Sequence, residues 1–138
     1  MDASGTDPER RAIETGDAPE PIGPYSQALV AGGALYCSGQ VPLDPQTGEL
    51  VEGGIAEQAR RCLRSLGAIC EAAGARLEDA ARITIYLTEM ESFPAVNEVY
   101  AEFFSEPFPA RSTVGVAALP KGALVEIDAT IPLGEGTA

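Results

Sequence analysis

The stretch IAEQARRCLRSLGAICEAAG (residues 55–74) followed by RITIYLT (residues 82–88) decides the fold, because the hydrophobic period changes between them. In the first segment Ile55, Ala59, Cys62, Leu66, Ile69 and Ala73 recur at steps of four and three, joined on the same face by Leu63 and Cys70. That is the stripe of a one-sided helix, and Gly74 is its stop signal. In the second, Ile83, Ile85 and Leu87 alternate with Arg82, Thr84, Tyr86 and Thr88, the period of a strand with one face in a core. A helix feeding directly into a half-buried strand predicts a sheet layered against helices.

Outward from this unit the chain offers four further strands or strand-like runs and one more helix. Gln27 to Ala31 and Ala34 to Gly39 flank Gly32-Gly33, the dipeptide of a two-residue hairpin turn. Upstream, Pro19, Pro21 and Pro24 forbid helix and present Tyr25 at the end of a stiff loop. Downstream of Gly39, the Pro, Asp and Gly content of residues 41–54 predicts a long loop. A second helix is expected from Ser92, with Ser92 as its cap, Pro94 in its first turn, and Val96, Val99, Tyr100 and Phe103 turned inward. It ends before Pro107. Two last strands are expected over Arg111 to Ala118 and Leu124 to Ile131. Val114 and Val116 should lie on the helices with Val125, Ile127 and Ile131, leaving Arg111, Thr113, Glu126 and Asp128 on the opposite, uncovered face.

The order strand, strand, helix, strand, helix, strand, strand is that of an α+β sandwich with both helices on one sheet face. An uncovered sheet face predicts a closed oligomer in which sheets face one another. At 138 residues the chain is one domain. Residues 1–18 read as a mobile N-terminal tail that can turn into a strand near Ile13, residues 19–133 as the domain, and residues 134–138 as a short C-terminal tail.

Composition excludes more than it assigns. No apolar run approaches the ~20 residues of a membrane span, and the acidic start lacks the core of a secretory signal, so the expected address is cytoplasmic. Cys37, Cys62 and Cys70 are odd in number, sit in helix and strand patterns, and read as small core residues. There is no histidine, which removes Ser-His and Cys-His nucleophiles and disfavours transition-metal sites. A net charge of −12 opposes the field of a phosphate backbone, so nucleic acid is not an expected partner. The acidic excess itself reads as a solvated surface, with adaptation to high salt left open. Apart from Lys121 the positive charge is all arginine, suited to two-pronged carboxylate recognition.

By pattern alone Arg111 is better explained by a surface or interface salt bridge than by a ligand, and Glu126 by solvation or pairing than by base catalysis. If the last two strands formed a simple hairpin, the two would stand about four residues apart, or ~13 Å along the strands. That is too far for a three- or four-carbon substrate. Another strand order, or a contribution from different subunits, is then required.

Several ordered motifs resolve the choice. Ile22-Gly-Pro-Tyr-Ser-Gln27, Ser38-Gly-Gln-Val-Pro42, Glu71-Ala-Ala-Gly74, Val96-Asn-Glu-Val-Tyr100, Phe108-Pro-Ala-Arg-Ser112, Leu119-Pro-Lys-Gly122 and Val125-Glu-Ile127 together resemble the RidA/YjgF family of reactive-intermediate deaminases over about residues 19 to 133. The resemblance implies a chorismate-mutase-like fold: a mixed six-stranded sheet with two helices on one face, the final strand inserted between earlier ones, in a homotrimer with sheets facing inward and clefts between subunits. It implies hydrolysis of 2-iminobutanoate and 2-iminopropanoate to 2-oxo acids and ammonia, without metal or cofactor. Arg111 matches the family's carboxylate-binding arginine and Glu126 its water-orienting glutamate. Tyr25, Ser38 and Asn97 match residues that line the cleft and contact substrate. Members commonly carry cysteine two residues after the arginine. Here it is Thr113, which leaves only a backbone contribution at that position. A non-catalytic trimeric carboxylate binder is the alternative reading, and an endoribonuclease or translation inhibitor a weaker one.

Overall fold

The structure, a computed structural model, describes residues 10–134. Residues 1–9 and 135–138, which hold half of the expected N-terminal tail and most of the C-terminal one, lie outside the described residues. In chain order the elements are β1 (Arg11–Ile13), β2 (Ala28–Ala31), β3 (Ala34–Gln40), α1 (Ile55–Ala72), β4 (Arg82–Leu87), α2 (Phe93–Tyr100), β5 (Ala110–Gly115) and β6 (Val125–Pro132). The six strands form one sheet in the order β1-β2-β3-β6-β4-β5. All neighbours are antiparallel except β4 and β5.

Local chemistry explains the elements that follow the hydrophobic period. Gly32 and Gly33 both have positive φ, 57° and 80°, and close the β2–β3 turn with Ala31 opposite Ala34. Such a turn twists with the strands it joins. The helix α1 ends where Gly74 turns left-handed at φ 76°. There the Ala75 N–H donates to the Cys70 carbonyl (2.8 Å), which also accepts from the Ala73 N–H (3.0 Å), and the Gly74 N–H donates to that of Glu71 (3.0 Å), so the last-turn carbonyls keep partners. Leu63, Leu66 and Ile69 of α1 and Val96 of α2 pack fully buried on Leu35, Ile83, Ile85, Leu87, Val125, Ile127 and Ile131 of the sheet. The opposite sheet face carries Tyr36, Thr84, Tyr86, Glu126, Asp128 and Thr130, none of them buried, and among the described residues no element covers it.

Three expectations change, and the strand expected near Ile13 is present. β1 joins the sheet at Arg11–Ile13 with Ile13 opposite Ala28. The buried Gln27 amide explains why: its two Nε2 hydrogens are shared among the carbonyls of Thr15 (3.1 Å), Ala18 (3.2 Å) and Pro19 (2.9 Å), and its Oε1 accepts from the Thr15 N–H (2.8 Å). Ser92 makes no capping bond, because Met90–Ser92 form a 3₁₀ turn running straight into α2. Phe104, not Phe103, is the deeply buried aromatic beyond α2. The last change concerns faces. β5 is parallel to β4 and pairs Arg111 with Ile83 and Thr113 with Ile85. Laterally paired residues share a face, so Arg111 and Thr113 point to the helix side, and Val114, paired with Tyr86, lies on the uncovered face at 40% exposure.

Candidate functional site

The expected site residues fall into two groups. The first gathers round Arg111. β5 is the sheet's edge strand, and from the helix side of that edge the half-buried Arg111 reaches over α2, its guanidinium carbon 4.6 Å from the centre of the Tyr100 ring and 5.5 Å from that of Phe93. Asn97, half-buried, lies on α2 between these aromatics in sequence, and positions 93, 97 and 100 form one helical stripe. Thr113 follows Arg111 on the same face. The Ala110 N–H donates to Ala81 O (2.9 Å) and the Val116 N–H to Leu87 O (2.8 Å). Backbone groups alternate sides along a strand, so Arg111 and Thr113 turn their N–H and C=O away from β4, toward the open edge. Thr113 thus offers backbone groups where a thiol is missing.

The second group lies on the uncovered face and at the β2–β3 end. Glu126, opposite Tyr86 on β4, rests its carboxylate against Gly39, where any Cβ would collide with it. The register shift of β3 between Cys37 and Gln40 falls at this contact. Burial raises the Glu126 pKa, and the neighbouring Asp128 raises it further. Asp128 accepts a bond from the Tyr86 hydroxyl (3.0 Å), and the Tyr86 pKa is itself raised, by burial first and then by Asp128. Ser38 is fixed by two bonds: its N–H donates to Gln27 O (2.9 Å) and its hydroxyl to Ser26 O (2.6 Å). Tyr25 is 51% exposed. Together Tyr25, Ser26, Leu29, Tyr36 and Ser38 line an open groove of about 430 Å³.

One chain does not bring the two groups together. Through β4, Arg111 stands level with Ala129, three residues along β6 from Glu126 and two strands away. That places the backbones ~14 Å apart, with side chains on opposite faces of the sheet. Insertion of β6 between β3 and β4 does occur, but it does not remove the separation that the hairpin argument raised. Pairing through β4 exchanges an offset of four residues for one of three and adds the change of face.

Phe93, Tyr100, Gly39, Tyr86 and Asp128 were not singled out by sequence reasoning as site residues. Tyr100 was read simply as core, although its shared stripe with Asn97 was a usable signal. Gly39 lay inside a quoted motif, but its role depends on which strand pairs with β3. Among the described residues no group of three His, Cys, Asp or Glu side chains converges as a metal site would require, and no helix is long and apolar enough to cross a membrane.

Fold and site define an α+β domain that carries an arginine over two aromatic rings at one sheet edge and a glutamate of raised pKa on the other face. The profile of the endoribonuclease L-PSP family matches residues 15–132. The chain belongs to this family, the RidA/YjgF family. It is 52% identical over 120 residues to a RutC family protein of Pyrococcus horikoshii, covering 87% of this chain and 95% of that one. It is 46% identical to the 2-iminobutanoate/2-iminopropanoate deaminase of Homo sapiens, over 87% of this chain and 88% of that one. Among solved structures, RidA of a Psychrobacter species superposes with a TM-score of 0.86 at 45% identity, covering 90% of this chain and all (100%) of that one. TdcF of E. coli with bound serine superposes with a TM-score of 0.84 at 39% identity, over 90% and 99% of the two chains.

Proposed function

We propose that this protein hydrolyses small 2-imino acids, 2-iminobutanoate and 2-iminopropanoate, to 2-oxo acids and ammonia. The site would be a cleft between copies of a cytoplasmic homotrimer whose uncovered sheet faces turn inward. The observation that carries the reading is the division of the site: Arg111, Asn97 and Thr113 on one side of the sheet edge, and Tyr25, Ser38 and Glu126 on the other side and end. Each group lacks what the other supplies. Relatives at this level of identity are deaminases by name.

In the cleft Arg111 pairs with the substrate carboxylate through two parallel charge-assisted bonds and sets the imine carbon in line with a water. The Glu126 carboxylate and an edge backbone group of Thr113 orient that water. Glu126 accepts one of its protons as the new C–O bond forms, a general-base contribution of about 10²- to 10⁴-fold. Glu126 returns that proton to the nitrogen of the tetrahedral carbinolamine; the C–N bond then breaks to release ammonia, and the hydroxyl gives its proton to Glu126 as the C=O bond of the ketone forms. The already electrophilic protonated imine needs no covalent nucleophile. Tyr25 and Ser38 exclude bulk water and contact the nitrogen, and Asn97 supports the wall.

The test couples threonine and a pyridoxal-phosphate dehydratase to an imine trap. With this protein present, 2-oxobutanoate and ammonia should appear faster and less imine should be trapped. An unchanged rate would sink the reading. A non-catalytic carboxylate binder would retain affinity and show no dependence on Glu126. The family's name raises a ribonuclease role, which the net charge of −12 opposes. RNA cleavage that follows the protein peak and survives Arg111→Ala would favour it.

A further inference from the structure

Arg111 differs from the chain's paired arginines. Arg60 is engaged by Glu57 and Glu102, and Arg76 by Glu78 and Asp79. Arg111 has no carboxylate partner among the described residues, in a chain with 21 acidic side chains. What holds it instead is a pair of aromatic rings, Tyr100 at 4.6 Å and Phe93 at 5.5 Å, one helical face apart by two turns. Tyr100 is 6% exposed, its ring lies 4.5 Å from that of Phe104, and its buried hydroxyl has no hydrogen-bond partner.

A guanidinium held by ring faces is fixed by dispersion and by the ring quadrupole, and none of its five N–H donors is used up. A carboxylate partner would fix it equally well and occupy the prongs that a substrate must take. We infer that Phe93 and Tyr100 are positioning residues for carboxylate capture: they hold Arg111 in place and leave its donors free. This rests on the reading of Arg111 as the carboxylate anchor and deepens it. The rings do the work. The Tyr100 hydroxyl, without a partner, does none.

The experiment measures the affinity of the intact protein for 2-oxobutanoate and for its uncharged amide, by calorimetry or ligand-observed NMR. Variants are Phe93→Leu, Tyr100→Leu and Tyr100→Phe, each with its fold checked by circular dichroism. Phe93→Leu and Tyr100→Leu should weaken the carboxylate ligand on the order of 3- to 30-fold and leave the amide unchanged. Tyr100→Phe, which keeps the ring, should bind the carboxylate as the unsubstituted protein does. Phe93→Leu carries the test if Tyr100→Leu, set deeper in the core, does not fold. Unchanged carboxylate affinity in a folded Phe93→Leu or Tyr100→Leu protein, or equal losses for acid and amide, would overturn the inference. Failure of the unsubstituted protein to bind 2-oxobutanoate would overturn the anchor reading as well. Normal binding without catalysis would overturn only the deaminase assignment.

Discussion

Glu126 is a carboxylate that the fold makes hard to ionise. Its oxygens lie against Gly39, Asp128 stands beside it, and partial burial removes solvent, so its pKa rises. A folded chain that holds this proton more tightly than the unfolded chain loses stability as pH rises from the ordinary carboxylate range through the raised value. Glu126→Gln removes that penalty. It should raise the melting temperature at pH 7 by about 1–4 °C, a gain that disappears at pH values where both states are protonated. The same substitution should lower kcat by about 10²- to 10⁴-fold. In the unsubstituted protein the acid limb of the pH–rate profile should lie above the usual carboxylate range, since the base must be ionised to accept the water's proton. A stability gain accompanied by full activity would make Glu126 a mere packing residue. Thr113 sits differently: its side chain is on the helix side, and what it turns to the open edge is backbone, which cysteine and threonine supply alike.

At the scale of elements the structure hangs on pairings whose partners are distant in sequence. Gln27 ties the segment from Thr15 to Pro19 onto β2 with one accepted bond and two amide hydrogens shared among three carbonyls. Gln27→Ala should cost about 1–3 kcal/mol, because the buried Ala18 carbonyl and the part-buried backbone groups of Thr15 and Pro19 lose their partner at once. Hydrogen exchange would report it as lost protection from Arg11 to Ala18 ahead of α1 and β4. Uniform weakening across the sheet would show that Gln27 acts globally. Elements that declare themselves through their own period were legible in the sequence. The helix ending at Gly74, the Gly32-Gly33 hairpin and the alternation of residues 83–87 each rest on contacts within a few residues. Of β1 only its place near Ile13 was legible: three residues cannot show a period, and its anchor is a side chain fourteen positions beyond Ile13. The face of Arg111 did not declare itself. The alternation along β5 was readable, but its parity is set by parallel pairing with β4, and no local property of residues 110–115 encodes that choice.

At the scale of the whole molecule, the candidate residues were identified by ordered motifs, whereas their division over two faces of the sheet came only from the fold. A single copy holds Arg111 and Glu126, the proposed anchor and base, ~14 Å apart on opposite faces, so the proposed function requires a second copy to complete the site. The most direct test expresses Arg111→Ala and Glu126→Gln chains together with different tags, isolates oligomers bearing both tags, and measures imine hydrolysis. Each variant alone should be nearly inactive. A trimer that bears both tags holds two copies of one chain and one of the other, so one of its three clefts takes an intact Arg111 from one chain and an intact Glu126 from another, and the mixed oligomers should recover roughly a third of the unsubstituted activity. Mixed oligomers no more active than the two parents would place both groups in one chain's site and contradict the account.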